Sequence, residues 1–243
     1  MSNLNLNQSS AIKIKKLCMA ALFCALAIAS TYVMHIKVMF LTFDAKDAVI
    51  TIAGLLFGPI YSVSISLIVS LIEFITIGDA GFWGFLMDFL STALFSTVCA
   101  LIYKYKKNIK GAIIGLISAI FAMTAFMILF NLFIVPIYTP NFTTAAVAKM
   151  VPTLFLPFNL TKATLNAAIV LVLYKPASTA MKAARVLPST HLSQNADGSL
   201  SPEQRKKKNL IFSLVVTGIG VLVAALCVVI FLVFLGGNVG FGS

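Results

Sequence analysis

Seven apolar runs, separated by short polar or basic stretches, set the plan of the chain. They cover residues 17–36, 47–57, 60–77, 83–103, 110–135, 152–174 and about 210–235. The longer runs have about the 20 residues that a helix rising about 1.5 Å per residue needs to cross a ~30 Å hydrocarbon layer. The run at 47–57 is too short to cross unaided, and it stops at Gly58-Pro59, a turn signal. It still leads through the membrane if that turn lies inside protein.

The basic residues require this short run to count as a span. With the N-terminus in the cytoplasm and seven spans threaded, fourteen of the eighteen Lys and Arg residues fall inside, including Lys13, Lys104, Lys110, Lys175 and the Arg205–Lys208 run. Lys37, Lys46 and Lys149 fall outside, and Lys162 lies within the membrane. Dropping the short run would place the Lys104–Lys110 cluster outside, against the positive-inside rule. Asp44, Asp47, Glu73, Asp79 and Asp88 all lie at or near the outer side.

Composition agrees. The chain is 60% apolar and only 10% charged, more apolar surface than a soluble domain of 243 residues can hide. The net charge of +11 sits between the apolar runs and not on one folded face, which marks membrane topology and gives no reason to expect nucleic acid. Ala27-Ile28-Ala29 mimics a cleavage site, but the apolar stretch continues through Thr31–Met34, which predicts a retained first helix. The four cysteines are scattered and form no metal motif.

Three features carry candidate chemistry. Lys162 stands near the start of a strongly apolar run, where a charge costs roughly 2.5–3.5 kcal/mol. Asn159 and Asn166 share its helical face, and Asn131 interrupts another apolar helix, which is costly unless its amide is bonded. A lysine snorkelling to the interface is the simpler account; a polar binding site open to one side of the membrane is the other. Second, Ala21, Ala25 and Ala29 form a smooth strip on the first helix, suited to close helix contact within the protein or with a partner; Gly54 and Gly58 repeat the spacing. Third, Met39-Phe40-Leu41-Thr42-Phe43-Asp44 is unusually apolar for a loop in water, and Trp83 follows a glycine-broken stretch at the same level. An interfacial aromatic belt accounts for Trp83; a lid over a flat, partly polar molecule accounts for the loops together.

Ordered along residues 10–176, several segments resemble the substrate-binding S components of energy-coupling factor (ECF) vitamin transporters, most closely the riboflavin-specific branch. They are Phe43-Asp44-Ala45-Lys46-Asp47-Ala48-Val49-Ile50, Gly54-Leu55-Leu56-Phe57-Gly58-Pro59, Ser70-Leu71-Ile72-Glu73, Gly84-Phe85-Leu86-Met87 and Phe155-Leu156-Pro157-Phe158-Asn159-Leu160-Thr161-Lys162. The resemblance implies an all-α integral membrane protein of the bacterial cell membrane with a six-helix core. It implies that Ala21, Ala25 and Ala29 dock on a coupling transmembrane protein, itself joined to two ATPase subunits. It places the ligand near the outer face, against Phe40, Leu41, Thr42, Phe43 and Asp44 of the first loop, with Trp83, Asp88, Asn131, Asn159 and Lys162. Phe40, Phe43 and Trp83 would cover or stack on an isoalloxazine-like ring, and the polar residues would bind ring carbonyls and ribityl hydroxyls. Riboflavin is then cargo, and no cofactor is expected. Asp88 departs from the branch, which has Asn there; a carboxylate at this position can pair with Lys162 or alter what is bound.

The expected organisation is a cytoplasmic tail (1–16), the six-helix core (17–176), a polar basic cytoplasmic linker (177–209), a seventh helix read as a passive anchor (210–235) and a short external tail (236–243). No GxxxxGK[ST] phosphate loop exists in the chain, so ATP hydrolysis falls to partners. A membrane-embedded enzyme would need clustered carboxylates or Ser/His constellations deep in spans, and only His35 and His191 are available. The other alternative is an S component for a different vitamin or a nucleobase.

Overall fold

The computed structural model describes residues 2–34, 36–38, 41–77, 81–139 and 143–183, with 214, 215, 218, 220–223, 225, 229 and 239–240 beyond them. His35, Met39, Phe40, residues 78–80, residues 184–209 of the expected linker and Cys227 lie outside the described residues. The elements in chain order are α1 (Ser2–Val33), β1 (Ile36–Val38), β2 (Leu41–Phe43), α2 (Lys46–Phe57), α3 (Pro59–Thr76), α4 (Gly81–Tyr105), α5 (Ile109–Tyr138), α6 (Thr144–Met150), a π-helical turn (Val151–Phe155), α7 (Leu156–Ala183) and β3 (Val239–Gly240).

Among the described residues, five stretches are long and apolar enough to cross a membrane: Ile14–Val33, Pro59–Thr76, Gly81–Tyr105, Ile109–Ile137 and Thr144–Met181. The short α2 sits among them as an inner helix, packed on α1, α3, α4 and α7 and buried on almost every side. This is how 12 residues take a place in the bundle: α2 is buried in protein from Lys46 to Leu55 apart from Val49, and only its last turn, at Leu56 and Phe57, is half-buried. Gly54 permits the approach, because a Cβ there would meet Ser62 Cβ at 2.9 Å and Ala100 Cβ at 3.2 Å. Gly58 adopts φ +110°, a conformation that favours glycine, and Pro59 opens α3 at once, so the chain reverses without a loop. The spacing of these two glycines therefore serves internal packing and a turn.

Several details differ from the sequence expectation. The fold is mostly helical but not wholly so. The segment after α1 pairs as an antiparallel hairpin, Ile36 opposite Phe43 and Val38 opposite Leu41, and β3 joins it on the β1 side. The expected tail 1–16 is largely a continuation of α1, and α7 runs on to Ala183, through Pro176, into the expected linker. The last long run is led by α6 and then a π turn, in which the Leu156 N–H bonds the Val151 carbonyl. Pro157, lacking an N–H, removes an ordinary i→i−4 bond just beyond this turn. The main core joins α1, α2, α3, α4, α5 and α7, and a second apolar cluster gathers Leu41 and Phe43 of the hairpin with Val135, Val147, Phe155, Phe158 and Leu165.

Candidate functional site

Helices that alternate in direction bring the end of α1, the start of α2, the end of α3, and the starts of α4 and α7 to the hairpin end of the bundle. Of the polar residues read from sequence, Asp44, Asp47, Asp88, Lys162 and Asn166 converge there, while Asn131 and Asn159 bond only their own helices. The Lys162 ammonium is buried; it donates to Asp44 Oδ2 at 3.1 Å and to the Thr42 carbonyl at 3.3 Å, with Asp47 Oδ2 at 3.8 Å. It does not snorkel. One turn on, Asn166 Nδ2 donates to the Asp44 carbonyl at 3.1 Å, and its Oδ1 accepts from the Ala48 N–H at 3.0 Å. Two neighbouring side chains of α7 thus hold the junction between the hairpin and α2.

A second cation completes the cluster. Lys46, placed by sequence among the outer loop residues, is buried and donates to Glu73 of α3 and to Asp88 of α4 at 2.7 Å, with Asp44 at 4.0 Å. Thr31 of α1 donates to Glu73 at 2.6 Å, Ser70 to Asp88 at 2.6 Å and Thr92 to Asp47 at 2.6 Å. Four carboxylates thus share two ammonium groups, and ion pairs and hydroxyl donors offset the desolvation of both signs. Asp88 bonds Lys46 and Ser70, not the Lys162 partner considered from sequence. Lys46 and Glu73 were missed as site residues, although an acidic residue in the middle of an apolar run such as Ile68–Ile77 carries the same signal that singled out Lys162.

Among the described residues, four buried polar atoms have no hydrogen-bond partner: Asp44 Oδ1, Asp47 Oδ2, Thr124 Oγ1 and Asn131 Oδ1. The Asn131 amide donates to the Met127 carbonyl at 2.6 Å and the Asn159 amide to the Phe155 carbonyl at 2.8 Å, so each uses its N–H on its own helix. Three of the four unpartnered atoms are acceptors only, and they suit a molecule that brings N–H or O–H groups. Leu41 and Phe43 are buried, not solvent-facing, and the Phe43 ring stands edge-on to Phe158 at 6.5 Å. Trp83 is half-buried in the first turn of α4, edge-on to Phe82 at 5.8 Å and packed on the main core. Ala21, Ala25 and Ala29 are exposed, while Ala20, Phe23, Cys24 and Ala27 turn into the bundle. The small-residue strip is therefore not used for packing among the described residues.

A bundle of membrane-length helices with a buried polar cluster and unsatisfied acceptors at one end has the build of a membrane-embedded binding protein. The comparisons make the class specific. Residues 15–174 match the family model for the ECF transporter, substrate-specific component, and the chain belongs to that family. It is 28% identical over 142 residues to a riboflavin transporter of Staphylococcus aureus (strain TCH60), covering 56% of this chain and 74% of the relative. It is 30% identical over 131 residues to a riboflavin transporter of Bacillus subtilis (strain 168), covering 51% of this chain and 69% of the relative. A solved S component of a bacterial ECF transporter superposes with a TM-score of 0.59 at 26% identity, covering 70% of this chain and 99% of that one. The protein is a membrane transport component and not an enzyme.

Proposed function

We propose that this chain is a riboflavin-binding S component that captures the vitamin at the outer face of the cell membrane for uptake by an ECF module. The observation that carries the reading is the buried Lys162–Asp44–Asn166 junction beneath the hairpin, with acceptor oxygens on Asp44 and Asp47 there, and on Asn131 of α5, that have no hydrogen-bond partner. Two relatives named as riboflavin transporters point to the same cargo. An imide N–H and ribityl hydroxyls supply the donors such acceptors require, and the aromatic residues around the hairpin and α4 suit a flat ring. Asn159 and Lys162 line the α7 side of the site, Asn131 the α5 side, and Leu41, Thr42, Phe43 and Asp44 its cover. Asp88 acts through Lys46 as a counter-ion.

In this reading the hairpin end faces outward and the N-terminus lies in the cytoplasm, an orientation that the distribution of basic residues favours. The exposed strip Ala21, Ala25 and Ala29 docks on the coupling transmembrane protein, and two ATPase subunits supply the energy. The test is a titration of the purified protein in detergent. Riboflavin should quench the single tryptophan, Trp83, saturably and one-to-one, and the preparation itself should be yellow if the vitamin is carried through purification. A colourless protein with no saturable change would move the cargo to another donor-rich small molecule.

A further inference from the structure

Of the buried polar atoms without a partner among the described residues, only Thr124 Oγ1 belongs to a residue not yet assigned to the site. Thr124 lies midway along α5, whose stretch Ile109–Ile137 is long and apolar enough to cross the membrane. The residue is 5% exposed, and its hydroxyl is the one buried hydroxyl among the described residues that bonds nothing. A threonine inside a helix commonly avoids this by donating to the carbonyl four residues back. Thr51 does so to Asp47 at 2.6 Å, Thr76 to Ile72 at 2.8 Å and Thr179 to Lys175 at 3.0 Å. Thr124 makes no such bond to Ile120. A free hydroxyl buried in an apolar span costs stability, and a group that arrives with a ligand relieves that cost.

Asn131 stands seven residues further on, two turns along the same face of α5. Its amide N–H bonds the Met127 carbonyl at 2.6 Å, and its Oδ1 is left without a partner. Met127 lies between the two residues at the three- and four-residue spacings that share a helix face, and it is buried. One stripe of α5 thus carries a free hydroxyl, a thioether and a free acceptor over a rise of about 10 Å. Val135, one turn beyond Asn131, packs with Phe43 of the hairpin, so Asn131 is nearer the hairpin and Thr124 is deeper in the bundle. The polar groups gathered under the hairpin suit a hydroxyl-rich chain. A single hydroxyl set in the chain between buried Met123 and Met127 suits the polar edge of a flat ring, and a thioether packs well against an aromatic face. We propose that Thr124 is a ligand-contact residue that sets specificity at the deep end of the site. Its hydroxyl donates to a carbonyl on the imide edge of the flavin ring, the ring lies over Met127, and the ribityl chain extends past Asn131 towards the hairpin cluster. This contact rests on riboflavin being the cargo; the unbonded state of the hydroxyl does not.

The experiment compares the full chain in detergent with Thr124→Val, which keeps the shape and removes the hydroxyl, and with Thr124→Ser, which keeps the hydroxyl. In ligand-free protein the valine variant should melt at or above the parent's midpoint, because the group removed bonds nothing. A clearly lower midpoint would give the hydroxyl a partner within the protein and overturn the proposal. Riboflavin titrations should show affinity about three- to tenfold weaker for Thr124→Val, the range expected for one hydrogen bond, and little changed for Thr124→Ser. The infrared carbonyl bands of bound riboflavin should move to higher frequency in the valine variant and stay in place in the serine variant. Equal affinity and unshifted bands in Thr124→Val would refute the contact while leaving the cargo in place. A parent chain that binds no riboflavin would refute the cargo itself, and the ring contact with it.

Discussion

The side chain of Asn166 bridges two backbone groups on either side of Lys46: it donates to the Asp44 carbonyl at 3.1 Å and accepts from the Ala48 N–H at 3.0 Å. Because all of these groups are buried, no water stands ready to replace the amide. Asn166→Leu leaves both backbone groups unpaired, at about 1–3 kcal/mol each. The expected result is a clear fall in the thermal midpoint in detergent, together with at least tenfold weaker riboflavin binding, since the hairpin loses one of its two ties to α7. Unaltered affinity in a destabilised protein would make Asn166 a purely structural residue.

Lys162 calls for a paired test. Its amine is the hydrogen-bonded cation of Asp44 and also faces Asp47, so Lys162→Met strands buried carboxylate charge, a change that costs about 3–5 kcal/mol in comparable ion pairs. The single variant should therefore be unstable as well as inactive. Adding Asp44→Asn removes one of the stranded charges and should recover much of the stability while leaving riboflavin binding weak. Thermal melts and titrations of the single and double variants check this. Recovery of both stability and binding would show that the lysine serves only to neutralise the aspartate.

Asp88→Asn restores the residue that the resemblance led us to expect. Lys46 keeps Glu73, and an asparagine oxygen still accepts from Ser70, so the fold should survive with a modest loss of stability. Lys46→Met removes the cation from Glu73 and Asp88 together and should be much more damaging. Riboflavin affinity in Asp88→Asn should stay within about threefold of the parent, a shift of under 1 kcal/mol at 1.4 kcal/mol per decade. A tenfold or larger change would place Asp88 in contact with the ligand.

The contrast between Lys162 and Lys46 shows what the sequence made legible. Lys162 stands alone in an apolar helix, where period and cost single it out, and Asn159 and Asn166 share its face by spacing alone. Lys46 lies between Asp44 and Asp47, so it reads as an ordinary loop charge; its burial depends on Glu73 and Asp88, brought near by the packing of α2 on α3 and α4. The spans were legible for the same reason as Lys162, because lipid forces long apolar runs. The hairpin was not: three-residue strands carry too little alternation to register, and their pairing depends on partners, including β3 some 200 residues away. The direction of the alanine strip also needed the fold, since an Ala-xxx-Ala repeat has the same pattern whether it faces inward or outward.

That strip supplies the last prediction. Ala25 is exposed at the middle of α1, between Ala21 and Ala29, on the side opposite the contacts made by Cys24 and Ala27. A large side chain there meets nothing within the described bundle, so Ala25→Phe should fold normally and bind riboflavin with unchanged affinity. If the strip is where the coupling protein lies against α1, a phenyl ring separates two helix backbones that small residues let approach closely. Riboflavin uptake in cells that supply the ECF module should then fall at least tenfold, and the variant should no longer copurify with the coupling protein. Alanine-to-serine at the same site, which keeps the surface nearly flat, should retain most of the uptake. If the phenylalanine variant transports normally, the docking face lies elsewhere on the bundle, and the exposed leucines Leu22 and Leu26 beside the strip face lipid alone.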